Sequence, residues 1–295
     1  MWLSCTSIGA VTRLGLGSSA QREPSFYSVD DDLAVPDFDV CAELGRKGSS
    51  TLDRLGALAL LVARDCLKDV AQVPPDTGVT VTTTVGSLRS TLEFSGITIT
   101  GPKPSNVPPS LFPNTVMNAA AGLVAIRHAL TGPNTTIAGG KAGGIKAVSY
   151  IDLLTETALL SACLLVCVEE LSAPRSAWSR SHRTGVVGEA AVAMLLTADE
   201  ECDREFRMRV RTDDPEFGRD AAVVVAGVQS ADSPVVSAAG AENVVDVERV
   251  FGVVDAATFG CQILLAVRLL RAGSHGRAII PFPDDRKRSW VEVTL

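Results

Sequence analysis

The residue whose setting most suggests chemistry is Lys141, at the centre of the glycine cluster GGKAGG, residues 139–144. Small residues on both sides let the backbone turn sharply and approach another group closely, which is typical of a strand-to-helix elbow that displays one side chain. A lysine displayed there could pair with a carboxylate, for which Glu169, Glu170 and Glu189 are the candidates. It could also be a functional amine of lowered pKa that binds the carboxylate of a substrate or assists its decarboxylation.

The remaining reactive residue types do not form a recognisable site. Seven cysteines occur without CxxC pairs, and the three histidines do not stand at metal-ligand spacing. We therefore expect neither a metal site nor a disulfide framework, and no cofactor. Cys163 and Cys167 share one face of an apolar strand, which favours a place in the core of a protein in a reducing cytosol.

Composition bounds the class of protein. The chain has 295 residues, of which 46% are hydrophobic, so it can bury a substantial core. A net charge of −7 disfavours nucleic acid or an anionic membrane as the main partner, because both attract a continuous basic surface. The longest apolar stretch, residues 158–168, is too short to span a bilayer, and no leader segment is recognisable. The expected location is the cytoplasm, without membrane contact.

Elements of secondary structure must position the cluster. The sequence predicts a strand over 78–85, an extended proline-rich segment over 96–113, and a helix over 115–130 that is buried on nearly all sides. A short strand over 135–137 precedes the cluster, and an apolar helix over 145–158 and a central strand over 162–168 follow it.

The second half is predicted with strands over 190–196, 206–210, 221–228, 277–281 and 290–294, and with helices over 242–251 and 257–270. Arg207, Arg209 and Arg211 alternate along one face of their strand. They could receive an acidic partner protein, but charges that discourage strand addition at a sheet edge are the more economical interpretation. The order of strands and helices indicates an α/β fold with helices packed on a mixed sheet.

The run LFPNTVMNAAAGLVAIRHALTGPNTTIAGGKAGGIKAV, residues 111–148, resembles the ketosynthases of fatty-acid and polyketide assembly. Their pattern is a proline-led interface helix, a Gly-Pro turn, a short strand and then the active-site cysteine before small residues. Residues 45–70, 78–88 and 183–200 also resemble ketosynthase segments and follow in the same order, so the resemblance covers about residues 1–200. It implies a thiolase-like α/β fold, layered α/β/α/β/α, as one domain over 1–295. Two related halves, about 1–185 and 186–295, would build it, and the second half is abbreviated.

Carried over by position, the nucleophilic cysteine of these enzymes falls on Lys141, and an ammonium cannot form the acyl thioester. The family also needs two histidines in the second half. Only His275 lies there, outside the family's histidine motifs. This pattern resembles the chain-length factors of type II polyketide synthases, ketosynthase-like subunits that lost the cysteine and pair with an active ketosynthase. Their elbow is typically a glutamine followed by AGG, whereas here Lys141 precedes AGG.

The resemblance implies a non-catalytic subunit that forms a heterodimer with a ketosynthase alpha subunit, while an acyl carrier protein docks mainly on that partner. No residue is assigned a catalytic role. Leu111 and Phe112 would reach toward the partner. The residues that would line the shared acyl tunnel are Val116, Met117, Ala119 and Ala120. The alanines could equally serve tight helix packing across the interface.

The shortened second half departs from ordinary chain-length factors and suggests a divergent branch, one that serves reduced polyene chains. Two alternatives of other classes stay open at this point. The chain could be a malonyl decarboxylase or priming subunit that uses Lys141, or it could be a purely structural partner that stabilises a ketosynthase without touching the growing chain.

Overall fold

The computed structural model describes residues 1–28, 33–49, 51–182, 185–199, 201–213, 222–227, 234–239, 243–273, 275–282 and 289–295. The helices of this part of the chain are α1 (Val40–Leu44), α2 (Arg54–Leu67), α3 (Leu88–Thr100), α4 (Ala119–His128), α5 (Gly143–Glu156), α6 (Ala173–His182), α7 (Pro234–Ala239), α8 (Glu248–Phe251) and α9 (Thr258–Arg271). The strands are β1 (Leu3–Thr12), β2 (Gly15–Leu16), β3 (Gly78–Thr83), β4 (Asn134–Ala138), β5 (Ala162–Glu169), β6 (Ala190–Thr197), β7 (Phe206–Arg211), β8 (Ala222–Ala226), β9 (Val244–Asp246), β10 (Arg277–Pro281) and β11 (Trp290–Thr294).

The strands follow the order β4-β3-β5-β6-β1-β7-β11-β10-β8-β9, and β2 pairs with β1. In the first five, β3 runs parallel to β4 and β5, while β6 runs antiparallel to β5 and β1. The last five repeat this scheme, because β8 is parallel to β9 and β10, and β11 is antiparallel to β10 and β7. The two groups of strands join where β1 and β7 pair antiparallel through residues 3–5 and 206–208.

Helices cover the sheet on both faces and between its two groups of strands. Helices α2 and α4 contact the outer face of the first group, α5 and α9 lie between the groups, and α7 contacts β8 on the far side. The predicted α/β/α/β/α layering is confirmed. In the described part of the chain the last layer is thin, since α7 has six residues where α2 has fourteen.

Alternation along β5 shows how the layers form. Cys163, Leu165 and Cys167 belong to the core between the two groups of strands, whereas Leu164 and Val166 belong to the core under α2 and α4. Both faces of this strand are therefore buried, as the continuous apolar run predicts. The predicted core position of the two cysteines is confirmed.

The predicted helix over 115–130 differs from the structure in length and in burial. A 3₁₀ helix, Pro109–Thr115, precedes α4, which begins only at Ala119, and Ala129 ends it with φ 54°. The prediction that this helix is buried on nearly all sides is wrong for the isolated chain. Only Ala120, Ala121 and Val124 of α4 are buried, and Ile126 is 82% exposed.

Two further element predictions need correction. Residues 96–100 are helical, not extended. They belong to α3, which begins after a cap in which Ser87 Oγ accepts a hydrogen bond from the amide of Ser90. No proline interrupts this helix, because the first proline of the segment is Pro102. The predicted helix over 242–251 is instead β9 followed by the short α8, since residues 244–246 pair with β8. The predicted ends at 221, 228 and 242 lie outside the described residues.

The arginine-bearing strand β7 is not a sheet edge, because it pairs with β1 on one side and with β11 on the other. The prediction that these charges protect an edge is therefore wrong. Arg209 pairs with the buried Glu292 at 2.7 Å, and the guanidinium groups of Arg207 and Arg209 lie over the ring of Trp2. The side chains thus cover an internal strand with ion-pair and cation–π contacts.

No helix of the described residues is both long enough and apolar enough to cross a membrane.

Candidate functional site

The glycine cluster forms the elbow between β4 and α5. After β4 ends at Ala138, Gly139 and the 3₁₀ helix Gly140–Ala142 turn the chain into α5, with φ 53° at Gly140. A Cβ atom on Gly144 would stand 2.3 Å from the Cβ of Phe259, so α5 approaches α9 too closely for any side chain there. The small residues are thus needed for a sharp turn and for close helix packing, and Lys141 is the one large side chain of the cluster.

Lys141 pairs with Glu248, the first residue of α8. Its Nζ lies 2.5 Å from Glu248 Oε1, and the two side chains are only 10% and 6% exposed. The candidate partners Glu169, Glu170 and Glu189 are therefore not its partners. Burial raises the pKa of Glu248, and the ammonium of Lys141 opposes that effect. The elbow presents a charge-paired ammonium, which is neither a nucleophile nor a free amine.

The sequence did not single out Glu248, because it lies 107 residues beyond Lys141. No motif in the sequence marks this glutamate as the partner of Lys141. Among the histidines of the chain, His128 ends α4, and His182 ends α6, where its ring stacks on Trp178 at 4.5 Å. The group from α8 that meets Lys141 at the elbow is the carboxylate of Glu248.

Two other buried carboxylates, Glu169 and Glu189, hold neighbouring segments of the chain together. Glu169 Oε2 accepts hydrogen bonds from the amide and hydroxyl of Thr84, at 3.0 and 2.5 Å, and from the amide of Ala256. Glu189 binds Arg54 through both oxygens, at 3.0 and 2.6 Å. These contacts hold backbone in place, while Glu169 Oε1 is buried and has no hydrogen-bond partner among the described residues.

Glu170 is a buried carboxylate whose two hydrogen bonds are both long. It accepts from the amide of Arg89 at 3.3 Å and from Ser87 Oγ at 3.4 Å. Burial raises its pKa to about 7, and burial also raises the pKa of Glu169 to about 6, both from an ordinary 4.5. The charged groups that act on the pair are Asp53, Glu189, Arg175 and Asp255.

These two pKa values predict how stability depends on pH. A raised pKa means that the folded state holds its proton more tightly than the unfolded chain does. The contribution of these two groups to the free energy of unfolding is therefore fully present below pH 4.5 and is lost as pH rises through about 7. We expect the stability of Glu170→Gln relative to the native protein to increase as pH rises from 4.5 to 8, by about 3 kcal/mol in total. Chemical unfolding at several pH values measures this difference.

Glu156→Gln, at the exposed end of α5, is the matched control for loss of a carboxylate. If the difference between Glu170→Gln and the native protein is the same at pH 5 and pH 8, Glu170 does not titrate in this range.

The predicted tunnel and interface residues lie together on one side of the molecule, with different exposure. Phe112, Val116 and Met117 are 57%, 40% and 47% exposed, while Leu111 and Ala119 are half-buried. Ala120 is only 2% exposed and belongs to the core under α4. No residue of α3 is buried, and its Phe94 ring lies 6.0 Å from that of Phe112.

Helix α4 brings a further exposed apolar residue to the neighbourhood of an edge strand. Helix α4 contacts both β3 and β4, and its Ile126 is the most exposed large apolar residue of the described chain. Strand β4 pairs with β3 on one side, and no described strand pairs with its other side. We call the apolar surface the set Leu92, Phe112, Val116, Met117 and Ile126. The contacts of α3 and α4 with the 3₁₀ helix Pro109–Thr115 place these exposed side chains on neighbouring elements, and grouped exposed apolar residues are typical of an interaction surface.

No group of three or more potential metal ligands occurs among the described residues.

Comparisons with known proteins agree with this geometry. No protein-family model matches the chain. It is 26% identical over 169 residues to 3-oxoacyl-[acyl-carrier-protein] synthase 2 of Synechocystis sp., across 56% of the chain and 40% of that protein. It is 26% identical over 164 residues to the protein of the same name from Rhizobium meliloti, across 50% of the chain and 39% of that protein. The chain thus matches about two fifths of the length of these curated relatives.

The similarity to solved structures extends over the whole chain. The ishigamide ketosynthase/chain length factor is 25% identical, with a TM-score of 0.79 and 99% of this chain and 98% of that chain covered. A chain from the structure of a type II polyketide synthase acyl carrier protein in complex with its ketosynthase is 13% identical, with a TM-score of 0.78. The match covers 99% of this chain and 98% of that chain. A β-ketoacyl synthase from Burkholderia phymatum gives 0.76 at 14% identity, with the same coverage. The last two likenesses concern the fold alone.

The elbow, the strand order and the full-length likeness to the ketosynthase/chain length factor structure identify the chain as a member of the thiolase-like ketosynthase superfamily.

Proposed function

We propose that the chain is a non-catalytic chain-length factor, which pairs with an active ketosynthase and shapes the tunnel that receives the growing polyketide. The observation that carries this proposal is the buried Lys141–Glu248 ion pair at the position of the nucleophile. A carrier-bound acyl group is transferred by attack of a thiolate on its thioester. An ammonium that is held by a carboxylate has no lone pair for that attack, so the chemistry belongs to the partner.

Support for pairing comes from the apolar surface and the neighbouring edge of β4. An exposed strand edge is a template for strand addition, and exposed apolar residues around it lose contact with water when a partner binds. We propose that the partner is a ketosynthase alpha subunit, as the name of the similar ketosynthase/chain length factor structure suggests. The acyl carrier protein would then dock mainly on that partner.

Support for a single domain of two related halves comes from the strand order. The first five strands and the last five have the same order and the same directions. We propose that the chain is one domain over 1–295, built from these two halves. The expected boundary near residue 185 stays a prediction, and the place of β6 in the first group of strands favours a boundary between β6 and β7.

Ala119 is the best position for testing a tunnel wall. It is half-buried at the start of α4, beside the exposed Met117, whereas Ala120 is enclosed in the core. Bulk at Ala120 would overpack the core and disturb folding, which would confuse a test of product length. Bulk at Ala119 would project toward the space shared with the partner.

We expect Ala119→Phe to shorten the products of the complex with its ketosynthase, because a phenyl ring takes up tunnel volume that the methyl group leaves open. Mass spectrometry of the products measures chain length. Ala177→Phe, on the exposed face of α6, is a control that adds the same ring elsewhere. Unchanged product length in Ala119→Phe, with an intact complex, would remove this residue from the tunnel and favour a purely structural subunit.

The decarboxylase alternative gains no support from the geometry. A lysine that acts as a base or binds a malonyl carboxylate must offer its amine to the substrate. Here the ammonium of Lys141 already donates a hydrogen bond to the carboxylate of Glu248.

A further inference from the structure

A second concave site lies far along α9 from the elbow. Residues 23–26 cross over the C-terminal part of this helix and enclose a groove of about 490 Å³. Pro24 and Phe26 form one wall, and the floor consists of Val245, Val250 and Leu265. The volume lies in the range of sites for small molecules, about 300–1,000 Å³, and such sites are mostly apolar with a few placed polar groups.

The wall over the groove is fixed by contacts to the rest of the fold. The amide of Tyr27 donates to the carbonyl of Arg249 at 3.0 Å, and Arg13 Nε donates to the carbonyl of Val250 at 2.6 Å. The guanidinium of Arg249 lies 4.0 Å from the centre of the Phe26 ring. The groove is therefore formed before any ligand arrives, which lowers the entropic cost of binding.

One cation stands at the mouth of this apolar groove. Arg268 donates to the carbonyl of Arg22 at 2.8 Å, and it keeps 29% of its side chain exposed. Its carboxylate contact is Glu23 at 3.4 Å, on a side chain that is 92% exposed. An exposed ion pair of this kind contributes little free energy, so another carboxylate can replace Glu23 without a large loss.

We propose that this groove binds a carboxylic acid with an apolar chain, whose carboxylate takes the place of Glu23 at Arg268. The planar guanidinium suits a carboxylate, and the apolar floor suits an aliphatic or polyene chain. The groove is open on one side, so a chain longer than the cavity can extend into solvent. The site does not involve the elbow or the apolar surface, and it stands independently of the proposed function.

The fluorescence of cis-parinaric acid tests this site, with its methyl ester as the neutral counterpart. We expect the purified protein to bind one equivalent of the acid saturably, and the ester about tenfold more weakly. Arg268→Met should lower the affinity for the acid to that for the ester and leave the ester unchanged. Ala272→Trp, which adds a large ring at the groove, should weaken both ligands.

Matched controls sit on the exposed face of α6. Arg180→Met removes a cation and Ala177→Trp adds an indole away from the groove, and neither should change binding. Thermal unfolding of each variant verifies that it is folded. The proposal is overturned if the acid does not saturate, if acid and ester bind alike, or if both groove variants bind like their controls.

Discussion

Replacing Lys141 by alanine is expected to lower the free energy of unfolding by about 3–5 kcal/mol, because the carboxylate of Glu248 would stay buried without its cation. The two side chains are 10% and 6% exposed, so water cannot replace the lost partner without opening the structure. The pKa of Glu248, already raised by burial, should rise further in the variant. Urea unfolding at neutral pH measures the loss.

Two further variants separate the ion pair from other effects. Lys146→Ala removes an exposed lysine from α5, and as the matched control it should cost less than about 0.5 kcal/mol. The double variant Lys141→Met with Glu248→Leu should recover most of the stability, since apolar residues of similar volume can replace a buried ion pair. Equal stabilities of Lys141→Ala and Lys146→Ala would mean that the pair is solvated in solution.

Ile126→Asp should weaken the complex with the ketosynthase by about 100-fold while the subunit itself stays folded. Ile126 is 82% exposed in the isolated chain, so a carboxylate at this position costs the fold little. Within the proposed interface the same carboxylate would be desolvated without a partner. Size-exclusion chromatography with light scattering distinguishes the complex from the free subunit.

Leu159→Asp is the matched control, because Leu159 is also an exposed apolar residue, at 66%, and lies outside the apolar surface. It should leave the complex intact. A complex that tolerates Ile126→Asp as well as it tolerates Leu159→Asp would place the interface elsewhere on the molecule.

The fold could be predicted from the sequence to the extent that it depends on local pattern. The continuous apolar run of β5 predicts a central strand, and the glycines at 139–144 predict the elbow that the structure contains. Local pattern did not place β7. Whether its arginines line an edge or an internal strand depends on pairing with β1, about 200 residues earlier in the chain.

The site could be predicted only in part. The position of Lys141 followed from the resemblance, but its partner did not, since the packing of α8 against the elbow joins residues 107 positions apart. The apolar helix over 115–130 predicted burial, yet composition cannot distinguish a face covered by the same chain from one that another chain would cover. In our proposal Ile126 is exposed in the isolated chain because the partner chain would cover it.

The native mass of the protein when it is co-expressed with an active ketosynthase tests the central claim most directly. We predict a one-to-one complex of the two chains, in which the apolar surface and the free edge of β4 are covered. Recovery of a stable monomer, or of a complex of this chain with itself alone, in the presence of excess ketosynthase would contradict the account.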